Sequence, residues 1–94
     1  MKTFKEYLLD EKVLKEQTVH MPPGTSIVNV RKTGAGLMLL ALTTPEAYVT
    51  NLPEIRTFKI CANGEIFIAP TVKYIGSFES VTGIKHVVEI IKEF

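Results

Sequence analysis

The feature that most constrains the fold is the run of six apolar residues at 37–42, LMLLAL. Turn-forming sequences bound this run on both sides, Thr-Gly-Ala-Gly at 33–36 and Thr-Thr-Pro at 43–45. An apolar run this short between turns is typical of a strand buried on both faces, or of part of a buried helix. Its length and flanks favour the strand, and half-buried strand patterns around it place it in the middle of a sheet.

The segment before this run alternates between apolar and polar residues. Residues 26–32 follow the strand pattern, with Val28 and Val30 predicted to face the core. The glycines of the 33–36 turn join this strand to the apolar run as a β-hairpin. A further strand is predicted near residues 14–21, where Pro-Pro-Gly ends it.

The C-terminal half also follows strand patterns. Residues 55–62 alternate, and the Asn-Gly at 63–64 predicts a hairpin with residues 65–69 as the partner strand. Residues 72–79 form another predicted strand, with Val72, Tyr74 and Phe78 on one face and a bulge or close approach at Gly76. A last strand is predicted at about 84–91, followed by a polar tail that permits a final helical turn.

Two stretches depart from the strand pattern. Within residues 1–13, apolar side chains recur at helical spacing among charged ones, which indicates a short amphipathic helix or an extended arm. Residues 43–54 form a long loop in which Thr-Pro-Glu predicts one or two helical turns.

These elements indicate one domain covering residues 1–94, with a mainly β fold. We expect a small antiparallel sheet, sandwich or open barrel of about six strands with a short helix. A small open sheet has exposed edges, and an apolar content of 46% is hard to bury in one small core. We therefore also predict that the chain forms a homo-oligomer.

Composition excludes several classes of protein. A net charge of +1 provides no broad field to attract nucleic acid or anionic lipid. No apolar run approaches the roughly 20 residues of a membrane span, and the N-terminus does not read as a secretory signal. The single cysteine, Cys61, rules out a disulfide framework, so we expect a cytoplasmic protein.

No catalytic motif is present, and we expect neither an enzyme nor a cofactor. His20 and His86 could meet in space, but two histidines without a third ligand of defined spacing are a weak metal signal. Cys61 beside a histidine could act as a nucleophile, yet a lone mid-strand cysteine is usually a buried apolar residue. We therefore predict no metal site and no catalytic residues.

A binding site is the remaining prospect. Basic residues on or beside predicted strands could converge on a small anion such as a nucleotide; they are Arg31, Lys32, Arg56, Lys59, Lys73 and Lys85. The best candidate is Arg56, which enters its strand beside the 43–54 loop, a predicted lid. Lys59 lies on the opposite face of that strand and would serve only at an interface. The full set of predicted ligand-binding residues is Arg56, Lys59, Tyr74, His86, Tyr48 and Asn51.

Several segments between residues 17 and 89 carry a resemblance to known proteins. They are residues 18–24 (TVHMPPG), 27–30 (IVNV), 40–42 (LAL), 56–60 (RTFKI), Gly64, 74–78 (YIGSF) and 86–89 (HVVE). Together they resemble a family of small uncharacterised proteins encoded by tailed phages and prophages. The resemblance implies a phage protein acting in the host cytoplasm and assigns it no activity.

The first eleven residues, MKTFKEYLLDE, look like the helical capsid-targeting peptide of the internal proteins of T-even phages. Those peptides are cut after a glutamate, and residues 8–11 loosely fit that pattern. Two hypotheses follow. The first is a non-catalytic phage accessory protein that binds a host protein or sequesters a small anionic ligand, as in counter-defence. The second is a particle-associated or structural-accessory protein packaged through its N-terminus.

Overall fold

A computed structural model describes residues 1–69 and 71–92. The structure is mainly β, as predicted, with seven strands and a single turn of 3-10 helix at Glu46–Tyr48 in this part of the chain. The strands are β1 (Thr3–Leu9), β2 (Gln17–Met21), β3 (Ser26–Thr33), β4 (Gly36–Thr43), β5 (Glu54–Ala62), β6 (Val72–Ser80) and β7 (Gly83–Ile90).

The strands form two antiparallel sheets. One has three strands in the order β1-β4-β3, and the other has four in the order β2-β5-β7-β6. The edge strands β3 and β6 approach each other where Gly76 faces Val30. Apolar side chains from both sheets fill the space between them; the buried cluster is Leu9, Met21, Ile27, Val30, Leu37, Leu39, Ala41, Phe58, Ile60, Phe78 and Val87.

The apolar run at 37–42 lies within β4, the central strand of the three-stranded sheet, as predicted. Leu37, Leu39 and Ala41 are buried in the core. Met38 and Leu40 point to the other face and are only half-buried. The prediction of burial on both faces was therefore correct for one face only, because no element of the described chain fully covers the other.

The helical interpretation of residues 1–13 was wrong. Residues 3–9 form β1, which pairs with β4 from Thr3 opposite Thr43 to Leu9 opposite Leu37. The same residues also fit a two-residue period, with Tyr7 and Leu9 facing inward. Pairing with the free edge of β4 satisfies the backbone groups that point toward β4, which favours the strand over the helix.

The predicted strand at 65–69 was also wrong. Residues 63–64 do form a turn, but no strand follows them. β7 occupies one edge of β5 at Thr57–Ala62, β2 pairs with the other edge only at Glu54–Phe58, and residues 65–69 form no ladder with the remaining positions. The segment instead passes beside Lys59, whose Nζ lies 5.9 Å from the centre of the Phe67 ring.

Two β-bulges change which side chains face the core. In β3 the register shifts between Ile27 and Asn29, and Val28, predicted to face inward, is exposed. In β6 it shifts between Tyr74 and Gly76, as the prediction for Gly76 anticipated. Val72 and Tyr74, predicted to share a face with Phe78, are exposed, whereas Phe78 is buried, so that prediction was wrong. A bulge inserts one extra residue, so the alternation reverses beyond it.

The remaining predictions agree with the structure in outline. The loop at 43–54 contains the single helical turn, and the last strand is β7. Residues 93–94 of the predicted polar tail lie outside the described residues. Within residues 1–69 and 71–92, no helix has the length and apolarity needed to cross a membrane.

Candidate functional site

Arg56, the leading predicted ligand contact, is held by the protein itself. Its Nε donates to Oε2 of Glu89 at 2.6 Å, and its Nη2 donates to Oε1 at 2.7 Å. Its Nη1 donates to the backbone carbonyl of Thr25. The hydrogen bonds to Glu89 raise the pKa of the guanidinium further above its ordinary value. These contacts hold Arg56 in place, and together with Glu89 it also lines an open cavity of about 460 Å³.

Lys59 is engaged in the same manner. Its Nζ lies 3.0 Å from Oε2 of Glu65 and donates to the carbonyl of Leu14 at 2.9 Å. The hydrogen bond from Lys59 lowers the pKa of the Glu65 carboxyl below its ordinary value of 4.5. Lys59 thus connects two loop segments, at Leu14 and at Glu65, to β5.

Tyr74 and His86, two of the predicted ligand contacts, lie side by side on β6 and β7. The Tyr74 hydroxyl lies 2.9 Å from Nδ1 of His86, and Nε2 of His86 lies 2.5 Å from Oδ1 of Asn63. A neutral imidazole protonated on Nε2 satisfies both contacts, because it donates to Asn63 and accepts from Tyr74. These three polar side chains fix the β5 turn against β6 and β7.

Neither the histidines nor the cysteine forms a reactive cluster. His20 lies opposite Ile55 and His86 opposite Cys61, at positions about 20 Å apart along β5. Among residues 1–69 and 71–92, no three side chains of the metal-binding types come together. Cys61 is buried, and burial raises the pKa of its thiol, which disfavours the nucleophilic thiolate.

The six basic residues, some of which were predicted to converge on an anion, do not all come together. Four pair separately with carboxylates: Arg31 with Glu6, Lys32 with Glu11, Arg56 with Glu89 and Lys59 with Glu65. Lys73 is on the edge strand β6 and Lys85 is on β7. In the part of the chain that the structure describes, the six do not share one pocket, but Lys32 and Lys85 both line an open cavity of about 730 Å³, where Lys32 pairs with Glu11.

The loop candidates Tyr48 and Asn51 line a small recess of about 70 Å³ against the turn at 22–23. This recess is too small for a ligand of nucleotide size. It adjoins a larger cleft beneath the same loop, with which it shares Pro22, Thr44 and Val49. Tyr48 and Asn51 thus line the recess next to this cleft and not the cleft itself.

The larger cleft separates the edge strands β1 and β2 of the two sheets and encloses about 370 Å³. We call it the β1–β2 cleft. Side chains of β1, the end of β2 and the 43–53 loop surround it; they are Thr3, Lys5, Tyr7, His20, Met21, Pro22, Thr43, Thr44, Pro45, Glu46, Val49 and Pro53. Its volume lies within the range of small-molecule sites, and most of its lining is apolar with a few polar groups.

Tyr7 is the unusual residue of this cleft. Within residues 1–69 and 71–92, its hydroxyl is the buried side-chain polar atom that has no hydrogen-bond partner. The Lys5 ammonium lies 5.1 Å from the centre of the same ring. A buried hydroxyl without a partner is costly, which makes it a natural place for an incoming polar group.

Sequence reasoning missed Lys5 and Tyr7 because their segment was read as a short helix or an extended arm outside the sheet. In a strand, the positions Thr3, Lys5 and Tyr7 share one face, and that alternation was the available signal.

Comparison with protein-family models, with curated proteins and with solved structures found no match for this chain.

Proposed function

We propose that this protein is a non-catalytic binding protein that holds a small ligand in the β1–β2 cleft. The observation that carries the proposal is the buried Tyr7 hydroxyl, which has no protein partner and belongs to a residue lining this cleft. The hydroxyl has almost no accessible surface, so a ligand with an acceptor group would supply the missing hydrogen bond once a side chain of the cleft wall moves aside.

The cleft's charges indicate the class of ligand. Lys5 is exposed, and its ammonium has no carboxylate partner among the ion pairs of the described chain. It can therefore attract an anionic group. Glu46 also lines the cleft and offers acceptors for donor groups such as sugar hydroxyls. Together they favour a small anion that also carries donors, such as a nucleoside monophosphate.

The resemblance to small phage proteins suggests a setting for this binding. A phage-encoded protein that sequesters a small anionic molecule in the host cytoplasm would lower the free concentration of that molecule. Counter-defence is one use of such sequestration. Binding of a host protein is the other form of the same accessory role.

Packaging through a cleaved N-terminus is the weaker alternative. Cleavage after Glu11 would remove the whole of β1, which pairs with β4 along seven residues. It would also remove Leu9, a fully buried member of the core. Targeting peptides are dispensable segments, whereas β1 is integral to this sheet.

Thermal unfolding in the presence of AMP, adenosine or inorganic phosphate tests the proposal. Binding at ten times Kd contributes about 1.4 kcal/mol, or roughly 6 °C in Tm for a domain of this size. We expect AMP to raise Tm and uncharged adenosine to raise it less, with the difference lost in Lys5→Gln. Lys73→Gln, which removes an exposed lysine of β6, is the matched control. The proposed anion site would be contradicted if AMP left Tm unchanged or if AMP and adenosine raised Tm equally. It would also be contradicted if AMP raised Tm as much in Lys5→Gln as in the unmodified chain.

A further inference from the structure

The outward face of the three-stranded sheet is unusually apolar. Phe4 and Leu8 of β1 are 65% and 62% exposed, and both point away from the core. Beside them, β4 presents Met38, Leu40 and Leu42, which are half-buried. We call these five side chains the outer face. Contiguous apolar patches of this kind on a monomer commonly mark interaction sites.

The charges on this face have a specific arrangement. Glu6 is on the edge strand β1 and Arg31 is on the other edge strand, β3, so an acid and a base flank the apolar row of β4. Arg31 Nη2 reaches across to Glu6 Oε2 at 3.1 Å, with side chains that are 58% and 38% exposed respectively. A pair this exposed contributes under about 1 kcal/mol, so its members can change partners at little cost.

We propose that the outer face is an interface between two copies of this chain. A two-fold axis parallel to β4 would place β1 of one copy over β3 of the other. Glu6 opposes Leu40 and Asn29 in the sheet register, and Arg31 opposes Met38. Under this axis each Glu6 would therefore lie near the partner's Arg31, and the two apolar rows would meet between them. The face is self-complementary in charge and along the apolar row of β4, which favours a symmetric dimer. Phe4 and Leu8 would lie over the outward side chains of β3 in the other copy, which are Ser26, Asn29, Arg31 and Thr33.

The size of the face sets the strength of the dimer. Seven residues of strand and three strands cover about 23 by 14 Å in projection, or roughly 320 Å² per copy. That is below the roughly 800 Å² per partner of a standard stable interface. The dimer should therefore dissociate on dilution. It leaves the β1–β2 cleft free, because Lys5 and Tyr7 lie on the opposite face of β1.

Charge reversal distinguishes a second copy from any other occupant. In Glu6→Arg, positive charges would oppose each other across the dimer, and in Arg31→Glu, negative charges would do so. Sedimentation velocity from 5 to 500 µM should show concentration-dependent dimers for the unmodified chain, and association weakened at least tenfold for each single variant. An equimolar mixture of the two variants should recover the dimer, because each charge then faces its opposite.

Two controls keep the test decisive. The double variant Glu6→Arg/Arg31→Glu restores both the internal and the intermolecular pairs, so it should dimerise as the unmodified chain does. Lys73→Glu, on β6 of the other sheet, should leave association unchanged. The proposal would be overturned if the unmodified chain were monomeric at 500 µM, or if the single variants dimerised fully. It would also be overturned if the mixture of the two variants stayed monomeric.

Discussion

Arg56 and Glu89 form a two-point ion pair that joins β5 to β7 inside the protein. The nitrogen–oxygen distances are 2.6 and 2.7 Å, and the two side chains are only 16% and 5% exposed. The third contact of Arg56, with the carbonyl of Thr25, links this pair to the segment that begins β3. Thr25 in turn hydrogen-bonds Thr43 of β4, with 2.6 Å between the two hydroxyl oxygens. The pair therefore connects the two sheets.

Arg56→Ala should destabilise the protein strongly, because Glu89 would remain buried without its partner. Removing one member of a buried pair typically costs about 3–5 kcal/mol. For a domain of this size that corresponds to a fall in Tm of at least 10 °C. Chemical denaturation and thermal unfolding followed by circular dichroism measure the effect.

Lys32→Ala is the matched control for this variant. It breaks the pair of Lys32 with Glu11, which is more exposed at a 3.0 Å separation. Surface pairs contribute about 0–1 kcal/mol, so its Tm should change little. An Arg56→Ala variant as stable as Lys32→Ala would show that the Arg56–Glu89 pair does not hold the sheets together.

Gly76→Ala should destabilise the contact between β3 and β6. A Cβ at this position would lie 3.0 Å from Cγ1 and 3.8 Å from the backbone nitrogen of Val30, and 3.3 Å from Oδ1 of Asn29. Overpacking of this kind typically costs about 1–3 kcal/mol. Gly34→Ala is the control, since a Cβ there meets nothing within 4 Å. Equal stability of the two variants in urea titration would contradict the close approach of the strands.

The Cys61 thiol should react slowly with a disulfide reagent while the protein is folded. It is buried, and burial raises its pKa, so both access and the thiolate fraction are low. At pH 8 we expect a reaction at least 100-fold slower than in the urea-unfolded chain. Comparable rates in the two states would mean that the covering of β5 opens readily.

The contact of Lys59 with Glu65 should weaken in acid. The pKa of Glu65 is lowered in the folded state, so its contribution to stability is present above about pH 4.5 and is lost as pH falls through the lower folded value. Nuclear magnetic resonance of Phe67, whose ring lies near Lys59, should report the change. Glu65→Gln should remove this pH dependence, and an unchanged acid response in that variant would assign it to another group.

Local sequence patterns were sufficient for most of the fold. The apolar run of β4, the glycine turn before it and the alternation in β5 are short-range features, and each gave the correct element. The facing of Val28 and of Tyr74 could not be predicted in the same way. Each is adjacent to a bulge, and the register of a bulge depends on a partner strand distant in sequence.

The site was less accessible from sequence than the fold. Tyr7 appeared as part of a helical pattern, and only its pairing with Leu39 in β4 shows that it faces inward. The choice of Arg56 followed from its place beside a loop. Its actual partner, Glu89, is 33 residues away, a distance over which single-sequence patterns carry no information. Long-range pairing thus determined the surroundings of both Tyr7 and Arg56.

The most direct measurement of the central claim compares Tyr7→Phe with the unmodified chain in two assays. Without ligand, losing a buried hydroxyl that has no partner should leave the protein as stable or raise its free energy of unfolding by about 1 kcal/mol. In calorimetric titration with AMP, the same variant should bind at least fivefold more weakly, because the hydrogen bond to the ligand is lost. A destabilised Tyr7→Phe that binds AMP as well as the unmodified chain does would contradict the account.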